Sequence, residues 1–183
     1  MASVLVPLAP GFEEIEAITI IDVLRRADFD VTVAGLQAGS ITGSHGITVE
    51  PDATLDQISA GDHDLIALPG GLPGAEHLAA STHLLSLLRS AVASGRTVAA
   101  ICAAPMALQA AGMLKGRQVT SYPGVLDGAD VDWVDQPVVI DGKIVTSMGP
   151  ATAMEFSLTL VELLGGPECR QALEDRMLIT AQG

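Results

Sequence analysis

Val98-Ala99-Ala100-Ile101 is a short apolar run with no polar interruption, and a lone cysteine, Cys102, closes it. A strand with one wet face alternates polar and apolar residues. A strand that does not alternate is buried on both faces, which points to a parallel sheet covered by helices. Ala103 to Ala111 then reads as a helix, with Pro105 tolerated because it falls in the first turn. The order of these pieces sets Cys102 in a sharp strand-to-helix turn, a nucleophile elbow that aims its sulfur out of the sheet. The start of a helix favours a thiolate, the reactive form of cysteine, so an ionised sulfur is expected there.

The rest of the chain repeats the alternation. Ser3 to Leu8 reads as a first buried strand, Glu13 to Ala27 as a helix with Ile15, Ile18, Ile21 and Leu24 at helical spacing, and Phe29 to Leu36 as a second strand. This opening implies a parallel pair with a right-handed crossover. Gly39 to Glu50 suggests a small hairpin beside the sheet, and Asp64 to Leu68 a third core strand. Helices are expected over Gly74 to Ala80 and His83 to Ala93, with Gly95 as a stop. Gln118 to Ser121 reads as a brief strand. Val138 to Ile140 and Lys143 to Ser147 form a hairpin around Asp141-Gly142. Two helices, Ala151 to Leu164 and Glu168 to Thr180, close the chain. The expected fold is α/β: a flavodoxin-like three-layer sandwich, one domain over 1–183, with a mostly parallel sheet, helices on both faces and the elbow at its centre. In such sheets ligands sit at the carboxyl ends of the strands, where the loops after Leu8, Leu68 and Ile101 converge.

Composition narrows the function. The formal net charge is −13, which disfavours nucleic acid and anionic membrane surfaces as partners. Apolar runs are broken well before the length of a membrane span, and Met1 leads into Val4-Leu5-Val6 without a basic leader, so a cytoplasmic protein is expected. The two cysteines, Cys102 and Cys169, make no disulfide framework.

Several groups could act on a sulfur at Cys102. Glu13, Glu14 and Glu16 complement a helix dipole, but Glu16 falls close to the face of Ile20. A carboxyl held there beside the sulfur has its pKa raised by desolvation and like charge, and can donate a hydrogen bond and shuttle a proton. In Leu68-Pro69-Gly70-Gly71, the N–H of Gly71 joins that of Ala103 as an oxyanion hole; a phosphate cradle is the alternative for the same loop. His45, His63, His77 and His83 all precede Cys102, which excludes a cysteine hydrolase whose base comes later in the chain. His45 can reach the site within the chain or across a dimer. No HExxH, CxxC or close His/Cys pairing argues for a metal site.

Five ordered blocks carry a resemblance: Ala9-Pro10-Gly11-Phe12-Glu13-Glu14-Ile15-Glu16, Val31-Thr32-Val33-Ala34-Gly35, Leu68-Pro69-Gly70-Gly71-Leu72-Pro73-Gly74-Ala75, Ala99-Ala100-Ile101-Cys102-Ala103-Ala104-Pro105 and Thr146-Ser147-Met148-Gly149-Pro150. With them the chain resembles the ThiJ/PfpI superfamily, in particular its Parkinsonism-associated deglycase branch and the YajL-like bacterial proteins. The resemblance implies a homodimer through the first helix, with Ile15 and Ile18 packed on their twins. It implies a nucleophilic, oxidisable Cys102, a protonated Glu16 bonded to it, backbone donors at Gly71 and Ala103 beside Gly70, and Arg26 with Asp22 near the dimer-facing site. Tyr122 stands where several relatives have histidine, and His45 where several have arginine. Ala103 stands where the protease-like branch has histidine, which argues against a peptidase. The implied activity is a cofactor-independent glyoxalase or deglycase, hydrolase or lyase in type, acting on glyoxal, methylglyoxal or their early adducts on proteins or nucleotides. The alternatives are a redox-sensing stress protein or chaperone acting through oxidation of Cys102, and a small-molecule hydratase.

Overall fold

The computed structural model describes residues 1–179. In chain order the elements are β1 (Ser3–Leu8), α1 (Glu14–Arg26), β2 (Asp30–Gly35), β3 (Ile41–Thr42), β4 (Thr48–Val49), β5 (Ala53–Thr54), β6 (Leu65–Leu68), α2 (Gly74–Ala80), α3 (Thr82–Ala93), β7 (Thr97–Ile101), α4 (Pro105–Ala110), β8 (Gln118–Val119), β9 (Asp132–Trp133), β10 (Val138–Asp141), β11 (Ile144–Ser147), α5 (Ala153–Gly165) and α6 (Pro167–Met177).

Seven strands form one sheet in the order β10-β11-β7-β6-β1-β2-β5, parallel throughout except for the antiparallel β10–β11 hairpin. The sheet grows outward from β1 in both directions, so the strand order reverses between β1 and β6. That switch point leaves a crevice at the carboxyl ends. Strand residues alternate between the two covering layers. Val4, Val6, Leu8 and Ile101 face α1 and α5, packing with Ile20, Leu24, Phe156 and Leu160. Leu5, Leu68, Val98 and Ala100 face the opposite layer, with Leu78, Leu84, Leu88 and Leu108. Each fully buried Leu or Ile contributes about 1.5–3 kcal/mol of transfer free energy, and Leu88→Ala in this layer would cost about 2–5 kcal/mol.

The sandwich, its topology and the β3–β4 hairpin follow the sequence reading. Three details differ. The inward face of α1 is Glu16, Ala17, Ile20, Val23 and Leu24, whereas Ile15 and Ile18 are 57% and 43% exposed. The helix after the elbow starts at Pro105, two residues later than expected, because Ala103 and Ala104 are used up in the turn. Asp132–Trp133 forms a two-residue strand parallel to Gln118–Val119, too short for any periodicity to reveal. The expected end of the last helix at Thr180 lies outside the described residues.

The outer edge of β2 is closed largely by side chains. β5 pairs with only Ala34 and Gly35. Before it, Val33 donates its N–H to Asp52 Oδ2 at 2.9 Å, Asp52 returns its own N–H to the Val33 carbonyl at 2.9 Å, and Arg25 Nη2 donates to the Val31 carbonyl at 3.1 Å. Among the described residues no helix is long and apolar enough to cross a membrane.

Candidate active site

Three loops meet at the carboxyl ends of β1, β6 and β7. The β7 loop places Cys102 in the left-handed region, with φ of 62°. L-residues avoid that conformation at a cost of about 1–2 kcal/mol, and it persists where neighbours impose it. Here the Cys102 N–H donates to the Ser147 carbonyl at 2.9 Å, and its own carbonyl accepts from Tyr122 N–H at 2.9 Å. Both bonds pin the peptide units on either side of the residue, so the turn is held from β11 and from the loop after β8.

The β6 loop supplies Gly70 and Gly71. A Cβ on Gly70 would sit 2.8 Å from Cys102 Cβ, from Glu16 Oε2 and from the Ile101 carbonyl, so only glycine lets the three chains approach. Gly71 has φ of 89°, and a Cβ there would collide with Glu13 N. The backbone N–H groups of Gly71 and Ala103 lie against the Cys102 sulfur, and each pulls the thiol's pKa down.

The α1 loop supplies Glu16, fully buried on the inward face of the helix. Its Oε2 accepts the Gly70 N–H at 2.7 Å, while Oε1 is buried with no conventional partner. The Cys102 thiol is the side chain that couples to this carboxyl. Burial pushes the carboxyl from its usual 4.5 up to about 7, against the pull of Gly70 N–H and Cys102 and with the help of the Glu13 charge. The upward direction and the part played by burial match the expectation for Glu16; the like charge comes from Glu13 rather than from the sulfur, which pulls the other way.

The ionised sulfur does not follow. Burial, then the charge of Glu16, then its hydrogen bond push the Cys102 thiol from 9.0 up to about 12, outweighing Gly71 and Ala103. The helix expected to promote a thiolate has only six residues and begins three positions beyond the sulfur. Cys102 therefore rests as a thiol in the free site, and Glu16, raised to about 7, takes up or gives up its proton around neutrality. When the proton moves to Glu16, the repulsion disappears and the carboxyl becomes a donor to the sulfur.

The remaining candidates divide by position. His45 is at the rim: its Nδ1 lies 3.0 Å from Glu14 Oε2 and 3.5 Å from Glu13 Oε2, and its side chain is 70% exposed. Its pKa is raised, by the hydrogen bond to Glu14 first and then by the charges of Glu13 and Glu14. Tyr122 touches the site through its backbone, and its ring is 54% exposed. Arg26 is not brought to Cys102 within this chain. It bonds Asp22 at 2.7 Å on the last turn of α1, about 15 Å along the helix from Glu16. His77 and His83 bond the carbonyls of Pro10 and Ile58, away from the sulfur.

Sequence reasoning missed Glu14. It is buried, and four donors converge on it: His45 N–H at 2.6 Å, Ile47 N–H at 3.2 Å, Ser44 Oγ at 3.2 Å and His45 Nδ1 at 3.0 Å. Burial opposes its charge, but these donors pull its pKa down to about 2. Glu13, Glu14 and His45 bring ligand atoms within 4.8 Å of one another. The Glu14 oxygens are already filled by donors from its own loop, so the cluster acts as a clasp on residues 43–47. The available signal was Gly43, where a Cβ would lie 2.5 Å from the Glu14 carboxyl carbon.

Fold and site together define a class: parallel α/β sandwiches that present a cysteine on a strained elbow, backed by a buried acid from the first helix. The chain belongs to the DJ-1/PfpI family, whose model matches residues 2–163. It is 43% identical over 183 residues to protein dj-1beta of Drosophila melanogaster, covering 97% of each chain. The crystal structure of that protein superposes with a TM-score of 0.94, covering 98% of this chain and 99% of the other. Oxidised DJ-1 of Toxoplasma gondii, 39% identical, superposes with a TM-score of 0.93, covering 99% of this chain and 100% of that one. Deglycase PH1704 of Pyrococcus horikoshii is 38% identical over 159 residues, 85% of this chain and 95% of the relative.

Proposed function

We propose that this chain is a cysteine-dependent glyoxalase and deglycase acting on glyoxal, methylglyoxal or their early adducts. The supporting observation is the Cys102–Glu16 pair at the elbow, a buried thiol against a buried carboxyl raised to about 7, with the Gly71 and Ala103 N–H groups beside the sulfur. The deglycase name carried by the Pyrococcus relative points the same way. As the sulfur attacks the aldehyde carbon, its proton passes to the Glu16 carboxylate, whose pKa of about 7 suits a base working at neutral pH. Glu16 hands that proton to the aldehyde oxygen, which becomes the hydroxyl of a hemithioacetal, steered by Gly71 and Ala103 N–H. The freed Glu16 carboxylate then takes the proton from the former aldehyde carbon and returns it to the neighbouring carbonyl carbon, while the hydroxyl proton passes to that carbon's oxygen, leaving a thioester of the hydroxy acid. Water cleaves the thioester, giving lactate from methylglyoxal or glycolate from glyoxal, and restores the thiol. From an amine adduct, the amine leaves with a proton as the sulfur adds. Overall one water is consumed and no external oxidant or reductant is needed. The test is methylglyoxal consumption by the wild type and by Cys102→Ser; equal rates would end the proposal.

A second reading has its own support. A sulfinate on Cys102 would place oxygens where Gly71 and Ala103 N–H can donate, and a protonated Glu16 Oε1 supplies a third donor that now lacks an acceptor. The Toxoplasma relative was solved in an oxidised form. Intact-mass measurement after mild peroxide tests redox sensing, which fails if Cys169 gains oxygen while Cys102 does not. Exposed Ile15 and Ile18 support pairing of two copies through α1, measurable by light scattering.

A further inference from the structure

A pocket opens beside the elbow, lined by Ser121, Pro123, Gly124, Leu126, Asp127 and Trp133. Ser121 and Pro123 flank Tyr122, whose N–H holds the Cys102 carbonyl, so the pocket begins one residue from the site. Trp133 is the only tryptophan of the chain, and it is 40% exposed. Its indole N–H donates to Ser121 Oγ at 3.3 Å, which fixes the ring as a wall of the pocket. Asp127 lines the same space, and among the described residues its carboxylate has no hydrogen-bond or ion-pair partner. Asp130, Asp132 and Asp135 follow in the chain, residues 127–135 contain no Lys or Arg, and Lys115 approaches only Asp130, at 3.9 Å.

An aromatic wall beside an unpaired carboxylate is the chemistry that holds a cation: the ring face attracts it and the carboxylate bonds it. A phosphate brought to the same place would meet the Asp127 carboxylate on a chain of net charge −13. Resting on the deglycase reading, we propose that this pocket is a subsite for a basic side chain of a peptide, an arginine or lysine next to the glycated residue. The Tyr122 N–H bond to the Cys102 carbonyl ties the pocket's wall to the elbow, and the proposal seats there a side chain close in sequence to the residue at Cys102. The subsite selects protein adducts over nucleotide adducts.

The single tryptophan gives a readout independent of catalysis. Acetyl-Gly-Arg-Gly-amide is expected to change Trp133 fluorescence saturably at low salt, and Asp127→Asn or added salt to weaken that response. An equal response to acetyl-Gly-Glu-Gly-amide, or a response to guanosine monophosphate alone, overturns the proposal. In kinetics, methylglyoxal hemithioacetals of Cys-Arg and Cys-Glu dipeptide amides are compared. The wild type is expected to prefer the Arg peptide through KM by about fivefold, a preference that Asp127→Asn and Trp133→Ala erase and Trp133→Phe largely keeps. Rates on free methylglyoxal should not change in these variants; a loss equal for all substrates overturns the subsite. If the wild type consumes no aldehyde while fluorescence still distinguishes the Arg peptide, the deglycase reading falls and the cation pocket stands.

Discussion

Glu14 and Glu16 are two residues apart on one helix, both buried, and their protons are held in opposite ways. Glu14 is pulled down to about 2 and Glu16 is pushed up to about 7. The difference is the supply of donors. The 43–47 loop wraps Glu14 with four of them, whereas Glu16 receives one backbone N–H and faces a thiol. Burial alone does not set a carboxyl's role; unfilled lone pairs under burial make a proton carrier, and filled ones make a structural anchor. Glu14 holds a loop in place, and Glu16, two residues on, is the carboxyl that faces the Cys102 thiol.

The sharpest way to break this contrast is through rate. Glu16→Gln is expected to slow aldehyde turnover by about a hundredfold or more, against a few-fold for Glu14→Gln. The wild-type rate should fall as pH drops through about 7, as the Glu16 base is protonated, and Glu16→Gln should flatten that limb. Equal losses in the two variants would erase the distinction. Stability comes next. A carboxyl raised from 4.5 to about 7 binds its proton more tightly in the folded chain, so stability is given up as pH climbs through that window, on the order of 3 kcal/mol. Glu16→Gln should therefore raise the unfolding free energy at pH 8 and change it little at pH 4.5, measured by urea titration. Glu14 has the opposite sign: its contribution is present above 4.5 and is lost as pH falls towards about 2. Glu14→Gln should cost about 2 kcal/mol at pH 7 from its weakened charged hydrogen bonds. Smaller still, Gly43→Ala pushes a Cβ onto the Glu14 carboxyl and should cost about 1 kcal/mol without altering the alkylation rate of Cys102. The mildest change is His45→Gln, seen by NMR titration as a rise in the Glu14 pKa; an unchanged Glu14 would show that the ring contributes nothing to the clasp.

The elements that sequence revealed are those whose signals are local. Val98 to Ile101, Asp141-Gly142 and the glycines after Leu68 each state their conformation within a few residues, and the mostly parallel sandwich follows from such pieces. The face of α1 was not legible from spacing, because isoleucines at 15, 18, 20 and 21 ring the helix and the apolar stripe is wider than the contact. Glu16 was legible because it sits beside Ile20. Glu14 was not, because its burial comes from a loop thirty residues away in sequence. The protonation of Cys102 was misjudged for a related reason. The elbow suggests a helix dipole, but the short α4 is outweighed by burial and a carboxylate brought in from another element.

The side chains along β2 bear on how this molecule behaves in a crowded solution. A wide sheet rich in valine and alanine invites another chain to dock alongside and extend it. Asp52 and Arg25 already occupy the groups such an intruder would need, and they leave charge where it would have to lie. Resistance to fibril-like growth on this flank thus depends on two surface residues rather than on a covering helix.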